Sequence, residues 1–126
     1  MLILIMEAIL DTNFIVSCMK NGIDFFAHLE EAGFKVAIPK EVVEELKDLR
    51  HKVKHDDGVA VDLALALLEK RDYKRINLGK GKVDDRLVKL GKEGAYIATL
   101  DSYIKRSVPN TVIIDSRKNG ILIERK

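Results

Sequence analysis

One cysteine, Cys18, stands in 126 residues. An intrachain disulfide is thereby impossible, and so is a zinc site built from cysteine thiolates. Cys18 lies in an apolar stretch, where packing is its expected role. Tryptophan is absent, with only three tyrosines and four phenylalanines. Extensive stacking of nucleobases on aromatic rings is therefore not indicated. With two prolines and eight glycines, the chain shows no linker, low-complexity stretch or internal repeat. Neither charge sign dominates: 22 Lys and Arg face 20 Asp and Glu, for a net charge of +2. The apolar start Met1–Leu10 is too short to span a bilayer. It lacks the positive flank of a signal peptide, and Glu7 interrupts it. It reads as a buried strand, and the protein as cytoplasmic with no membrane partner. Met6 is an alternative start that removes part of that strand.

At 47% hydrophobic residues, the chain can bury a core as one domain over residues 1–126. Strand and helix patterns alternate, which predicts an α/β fold with a mainly parallel central sheet and helices on both faces. Strands are expected at about Ile3–Leu10, Lys35–Ile38, Tyr73–Leu78, Ala95–Thr99 and Val112–Asp115. Helices are expected at about Asn13–Met19, Ile23–Ala32, Pro39–Leu49 (with Pro39 as its first residue), Val59–Glu69, Asp84–Lys92 and Ser102–Ser107. Asn119-Gly120 signals a two-residue turn into an edge strand, Ile121–Ile123. Gly79-Lys80-Gly81-Lys82 reads as a flexible basic loop. The helix over 59–69 is apolar nearly all round, so it is either central or covered by a second subunit; a homodimer is expected.

Carboxylates recur where apolar runs stop. Asp11 follows the first strand and Asp101 the run Ala95–Leu100, while Asp84 and Asp85 open a helix. Glu45 sits one turn from Glu41 on a helix whose buried side carries Val42, Val43 and Leu46. Each acid has an ordinary explanation. Asp11, Thr12 and Asn13 are all good helix caps, as is Ser102 after Asp101. Acids in a first helical turn are favoured by the helix dipole, and most helix glutamates are solvated. The shared location is what these explanations omit. In a parallel sheet, strand ends and helix starts share one edge, where ligands bind. Carboxylates gathered there repel unless a proton or cation intervenes, which points to a divalent metal and hydrolytic or phosphoryl-transfer chemistry. Asp84, with Leu87 and Val88 on its inner side, is the expected ligand, and Asp85 a cap or supporting group. Thr99 is placed to bond a carboxylate or a phosphate oxygen. Gathering Asp11, Glu45, Asp84, Asp85 and Asp101 in one cleft leaves 15 of the 20 acids elsewhere, against 22 bases. Such a surface suits a polyanion.

In order, Leu10-Asp11-Thr12-Asn13, Ile38-Pro39, Val43-Glu44-Glu45-Leu46, Val83-Asp84-Asp85-Arg86-Leu87 and Ala98-Thr99-Leu100-Asp101 resemble the motifs of PIN-domain nucleases over essentially the whole chain. The segments Asp101–Arg106 and Val112–Arg125 look most like the archaeal and eukaryotic branch linked to ribosomal RNA processing. VapC toxins of toxin–antitoxin pairs form a second branch. The resemblance implies a Rossmann-like α/β/α fold, Mg²⁺ or Mn²⁺, and cleavage of single-stranded RNA. It makes Asp11, Glu45, Asp84 and Asp101 the acidic quartet, supported by Thr12, Asn13 and Thr99. Asp11, Asp84 and Asp101 would hold a metal, and Glu45 would bind a second ion or orient water. Partners implied are RNA and either pre-ribosomal particles or an antitoxin.

Lys80, Lys82, Lys105 and Arg106 are the basic residues expected nearest the cleft, placed to contact phosphates. A phosphatase with an aspartyl nucleophile needs a second acid two residues on, where Asn13 stands. A dinucleotide-binding domain needs a glycine fingerprint after the first strand, and none is present. A non-catalytic RNA-binding scaffold with the same fold is the alternative from another class.

Overall fold

The computed structural model describes residues 6–126. Five strands, β1 (Met6–Leu10), β2 (Phe34–Pro39), β3 (Lys74–Ile76), β4 (Tyr96–Ala98) and β5 (Asn110–Asp115), run parallel. A sixth, β6 (Gly120–Arg125), pairs antiparallel with β5 at one edge. Residues 3–5 of the expected first strand lie outside the described residues. The spatial order is β3-β2-β1-β4-β5-β6. From β1 the chain winds outward through β2 and β3, then returns to the other side of β1 for β4. The switch between β1 and β4 opens a crevice at their carboxyl ends, where an open α/β sheet binds ligands.

Side-chain alternation decides the layers. Ala8, Leu10, Val36, Ile38, Tyr96 and Ala98 face one way. Ile9, Ala37 and Ile97 face the other. The first face is covered by α1 (Thr12–Lys20), α2 (Phe25–Glu31), α3 (Lys40–Leu49) and α4 (His55–Lys70). The second is covered by α5 (Val83–Lys92) and α6 (Ser102–Ser107). Fully buried Phe14, Phe25 and Phe26 fill the larger core, each stabilising by roughly 1.5–3 kcal/mol. Cys18 is buried in the same core, which pushes its thiol up to about 12 and leaves it inert. No helix among the described residues is long and apolar enough to cross a membrane.

The apolar helix α4 is central. It packs against α1 and α3, burying Ala60, Val61, Ala64, Leu65 and Leu68. Only Val59 and Leu63 remain as large exposed apolar groups on it, 47% and 52% accessible. Most of its apolar surface is therefore covered within one chain.

Two local expectations are corrected. Pro39 does not begin α3. It pairs with Ile76 as the last residue of β2 and keeps an extended ψ of 142° as the N-cap. The ladder to β3 holds the chain straight one residue longer than the proline signal implies. Asn119-Gly120 is not a two-residue turn. Asp115 pairs with Gly120, leaving residues 116–119 as a four-residue loop. The Arg117 N–H donates to the Asp115 carboxylate at 3.1 Å, and Asn119 takes the left-handed φ of 53°. Gly120 itself packs on His28, whose Cε1 would lie 3.2 Å from an added Cβ. The loop over 79–82 is anchored at its start. Leu78 is buried, its N–H donates to Glu41 at 3.2 Å, and its carbonyl accepts from Arg86 Nε at 2.8 Å.

Helix α5 approaches the sheet closely at Gly91. A Cβ there would lie 2.8 Å from Val108 Cβ, nearer still to Val108 Cγ1, and 3.1 Å from Ile97 Cγ1. Gly91→Ala is expected to lower the free energy of unfolding by about 1–3 kcal/mol in chemical denaturation. Combining it with Val108→Ala should cost less than the sum of the two single changes. An additive or stabilising result contradicts the close packing.

Candidate metal centre at the carboxyl edge of the sheet

Asp11 is the first residue beyond β1, and its backbone fixes it across the crevice. Its N–H donates to the Ala98 carbonyl of β4 at 2.9 Å, so the ladder continues into the site. The carboxylate is divided between two tasks. Oδ1 accepts from the Thr12 N–H at 2.9 Å and caps α1; Oδ2 accepts from Thr99 Oγ1 at 2.8 Å. Capping and site-building are compatible here. Thr99 is fully buried and also accepts from the Asp101 N–H at 3.1 Å, tying the two strand-end acids through one hydroxyl. Asn13 adds a further link, its Oδ1 accepting from the Leu100 N–H at 3.2 Å.

Asp101 caps α6 by accepting from the Ile104 N–H at 3.0 Å. The expected cap Ser102 is instead the exposed first residue of that helix, because Asp101 already fills the capping position. Asp84 and Asp85 lie in the first turn of α5, which begins one residue earlier than expected, at Val83. Asp85 does not cap the helix, since α5 has no side-chain cap. It accepts from the Tyr103 hydroxyl at 3.0 Å. That bond and the Asp85 charge raise the Tyr103 pKa. Tyr103 carried no motif in the sequence; its only signal is a place in the first turn of the helix that Asp101 opens. Glu45 is exposed on α3, facing the start of α1 across a shared cleft.

The charges sense one another. Burial pushes the Asp11 carboxyl above its ordinary range, opposed by the bonds from Thr99 and Thr12 and reinforced by Asp84 and Glu45. Asp84 is raised by partial desolvation, then by Asp101 and Asp85, while Lys82 lowers it. No salt bridge among the described residues involves any of the four acids. The structure therefore brings Asp11, Glu45, Asp84 and Asp101 to one edge, with Lys82 acting on Asp84 from a distance but no ion pair to any of the four among the described residues. They do not form a closed cage: among the described residues no three His, Cys, Asp or Glu converge as a set that could hold an ion.

An all-oxygen donor set nonetheless suits Mg²⁺ or Mn²⁺. Mg²⁺ keeps several waters and commonly takes only one or two carboxylates. Asp84 and Glu45 are exposed and free to rotate. The buried Thr12 Oγ1 has no hydrogen-bond partner among the described residues, an orphan polar atom on the residue that follows Asp11. The residues fit a hydrated divalent ion better than a dehydrated one.

The sequence model of a PIN-like domain matches residues 8–118. The chain belongs to the PIN-like domain family. Its fold is similar to that of a solved structure described as the PIN domain endonuclease Utp24, with a TM-score of 0.73 at 22% identity. The match covers 95% of this chain and 92% of that one. Comparison with curated proteins gave no significant match.

In this PIN-like domain the basic residues sort by position. Lys80 and Lys82 are exposed on the loop leading into α5, and Lys82 is close enough to lower the Asp84 pKa. Lys105 and Arg106 lie in the last turn of α6, with the Lys105 N–H donating to the Asp101 carbonyl at 3.0 Å.

The raised pKa of Asp11 fixes a sign. Without metal, the folded chain holds this proton more tightly than the unfolded one. The stabilisation is complete below the ordinary aspartate pKa of about 3.9 and is lost as pH rises through the higher folded value. At neutral pH the charge is thus a burden. Asp11→Asn keeps an oxygen for the Thr12 N–H and removes that charge. It should melt higher than the unaltered protein at pH 7 in EDTA. It should also lose the rise in melting temperature that millimolar Mn²⁺ gives the unaltered protein. A parent protein whose melting ignores Mn²⁺ contradicts the metal centre.

Proposed function

We propose that this PIN-like domain is a divalent-metal-dependent endoribonuclease. It hydrolyses phosphodiester bonds of single-stranded RNA in ribosomal RNA processing or RNA turnover. The observation that carries the reading is the buried Asp11 carboxylate at the sheet's switch point, with Glu45 and Asp84 adding negative charge around it and no salt bridge to offset it. An enzyme keeps so costly an arrangement where a cation is used.

Asp11, Asp84 and Asp101 would hold the ion, and Glu45 would bind a second ion or orient the attacking water. When bound, a divalent cation would make hydroxide accessible near neutral pH and neutralise charge on the attacked phosphate. Thr99 and the Thr12 N–H fix the direction of the Asp11 carboxylate, and Asp85 with Tyr103 braces the start of α5. Lys80, Lys82, Lys105 and Arg106 attract the flanking phosphates, so binding weakens with salt. His28, His51 and His55 lie outside this set, and no histidine base is required.

Purified protein with Mn²⁺ should cleave single-stranded RNA and leave a 5′-phosphate and a 3′-hydroxyl. Asp11→Asn should slow cleavage by at least about 100-fold, the upper range for losing a group behind a metal ligand. A 2′,3′-cyclic phosphate as primary product overturns hydrolysis by water. RNA binding without cleavage supports a scaffold instead, and a small antitoxin gene beside this one supports a toxin. The reading includes a homodimer in which a second copy covers Val59 and Leu63. A monomer in light scattering at micromolar concentration removes that part.

A further inference from the structure

A cleft of about 590 Å³ runs between α1, α3 and α4, and it opens directly beside the acids. Thr12, Asn13 and Glu45 belong to both. Its walls then become aliphatic: Val16 from α1, Leu49 from α3, Val53 from the α3–α4 connection and Val61 from α4. Its uncharged polar groups sit on one side only, along α1 and its C-cap, where Ser17 and Asn21 follow Asn13. The far end is electrically closed, because Lys20 and Asp57 pair there at 2.6 Å. The cleft thus offers no free cation for a phosphate. It offers two apolar walls and a strip of hydrogen-bonding groups, within the volume typical of small-molecule sites.

We propose that this cleft seats the base and ribose of one nucleotide next to the phosphate under attack. The inference rests on the nuclease reading and deepens it. A nucleobase is a flat group with apolar faces and a polar edge. Val16 and Leu49 would flank its faces, in place of the aromatic rings this chain lacks, and Ser17 and Asn13 would meet its edge. A base in the cleft has left its helical stack. Single-strand selectivity follows from that geometry, because a paired base cannot enter without unpairing.

Two measurements test this. Methyl resonances of Val16, Leu49 and Val53 are followed while the metal-free protein is titrated with nucleoside 5′-monophosphates or with inorganic phosphate. Shifts are expected with the nucleotides and not with phosphate. In parallel, Val53→Trp and Ser17→Leu narrow the cleft from opposite sides without touching the acids. Both should lower kcat/KM on single-stranded RNA by at least tenfold, and leave Mn²⁺-dependent hydrolysis of bis(p-nitrophenyl) phosphate, a diester without nucleosides, within twofold. The proposal is overturned if the nucleotides cause no methyl shifts, or if both folded variants keep RNA kcat/KM within twofold. If the unaltered protein hydrolyses neither substrate, the nuclease reading fails, and the methyl titration alone decides the cleft.

Discussion

A carboxylate removed from water without an ion pair is expensive, and among the described residues Asp11 is held in that condition by its surroundings. The end of β1 delivers it, the Ala98 carbonyl pins its backbone, and Thr99 and the Thr12 N–H take its two oxygens. Hydrogen bonds of this kind favour the charged form, yet burial and the charges of Asp84 and Glu45 outweigh them. Among the described residues no ion pair offsets that charge. The Thr99 hydroxyl and the Asp85–Tyr103 bond tie the elements of this edge to one another.

The topology turns this local tension into a usable cleft. Because β4 returns beside β1, two strand ends separated by almost the whole chain meet across one hydroxyl. Helix α3 then swings Glu45 over the start of α1, and α4 closes the groove beneath it. Acid chemistry and an apolar recess thus share a wall. In the proposed reading, the acids handle phosphate and water and the recess takes the uncharged part of a nucleotide. The PIN-like family model spans the segment that carries all four acids. The recess is lined by Val16, Leu49, Val53 and Val61.

Much of this was readable in one dimension. The apolar run ending at Leu10 named a buried strand, and acids after strands located the edge. Helix α6 was placed to the residue because Asp101 and the following polar residue mark a start. The misses share a cause. Pro39 and Asn119-Gly120 carry strong local signals, and each is overruled by a contact from far away: pairing with Ile76 and packing on His28.

The order of residues settled which groups are chemically capable: a strand-end aspartate, its capping neighbours, and a helix too apolar to be solvated. It could not settle whether those groups see one another. The raised pKa of Asp11, the unpartnered Thr12 hydroxyl and the cleft beside Glu45 come only from folding. Propensity and spacing act over a few residues, whereas Coulomb interaction and desolvation depend on distance through space. That distance is fixed by how the sheet is wound.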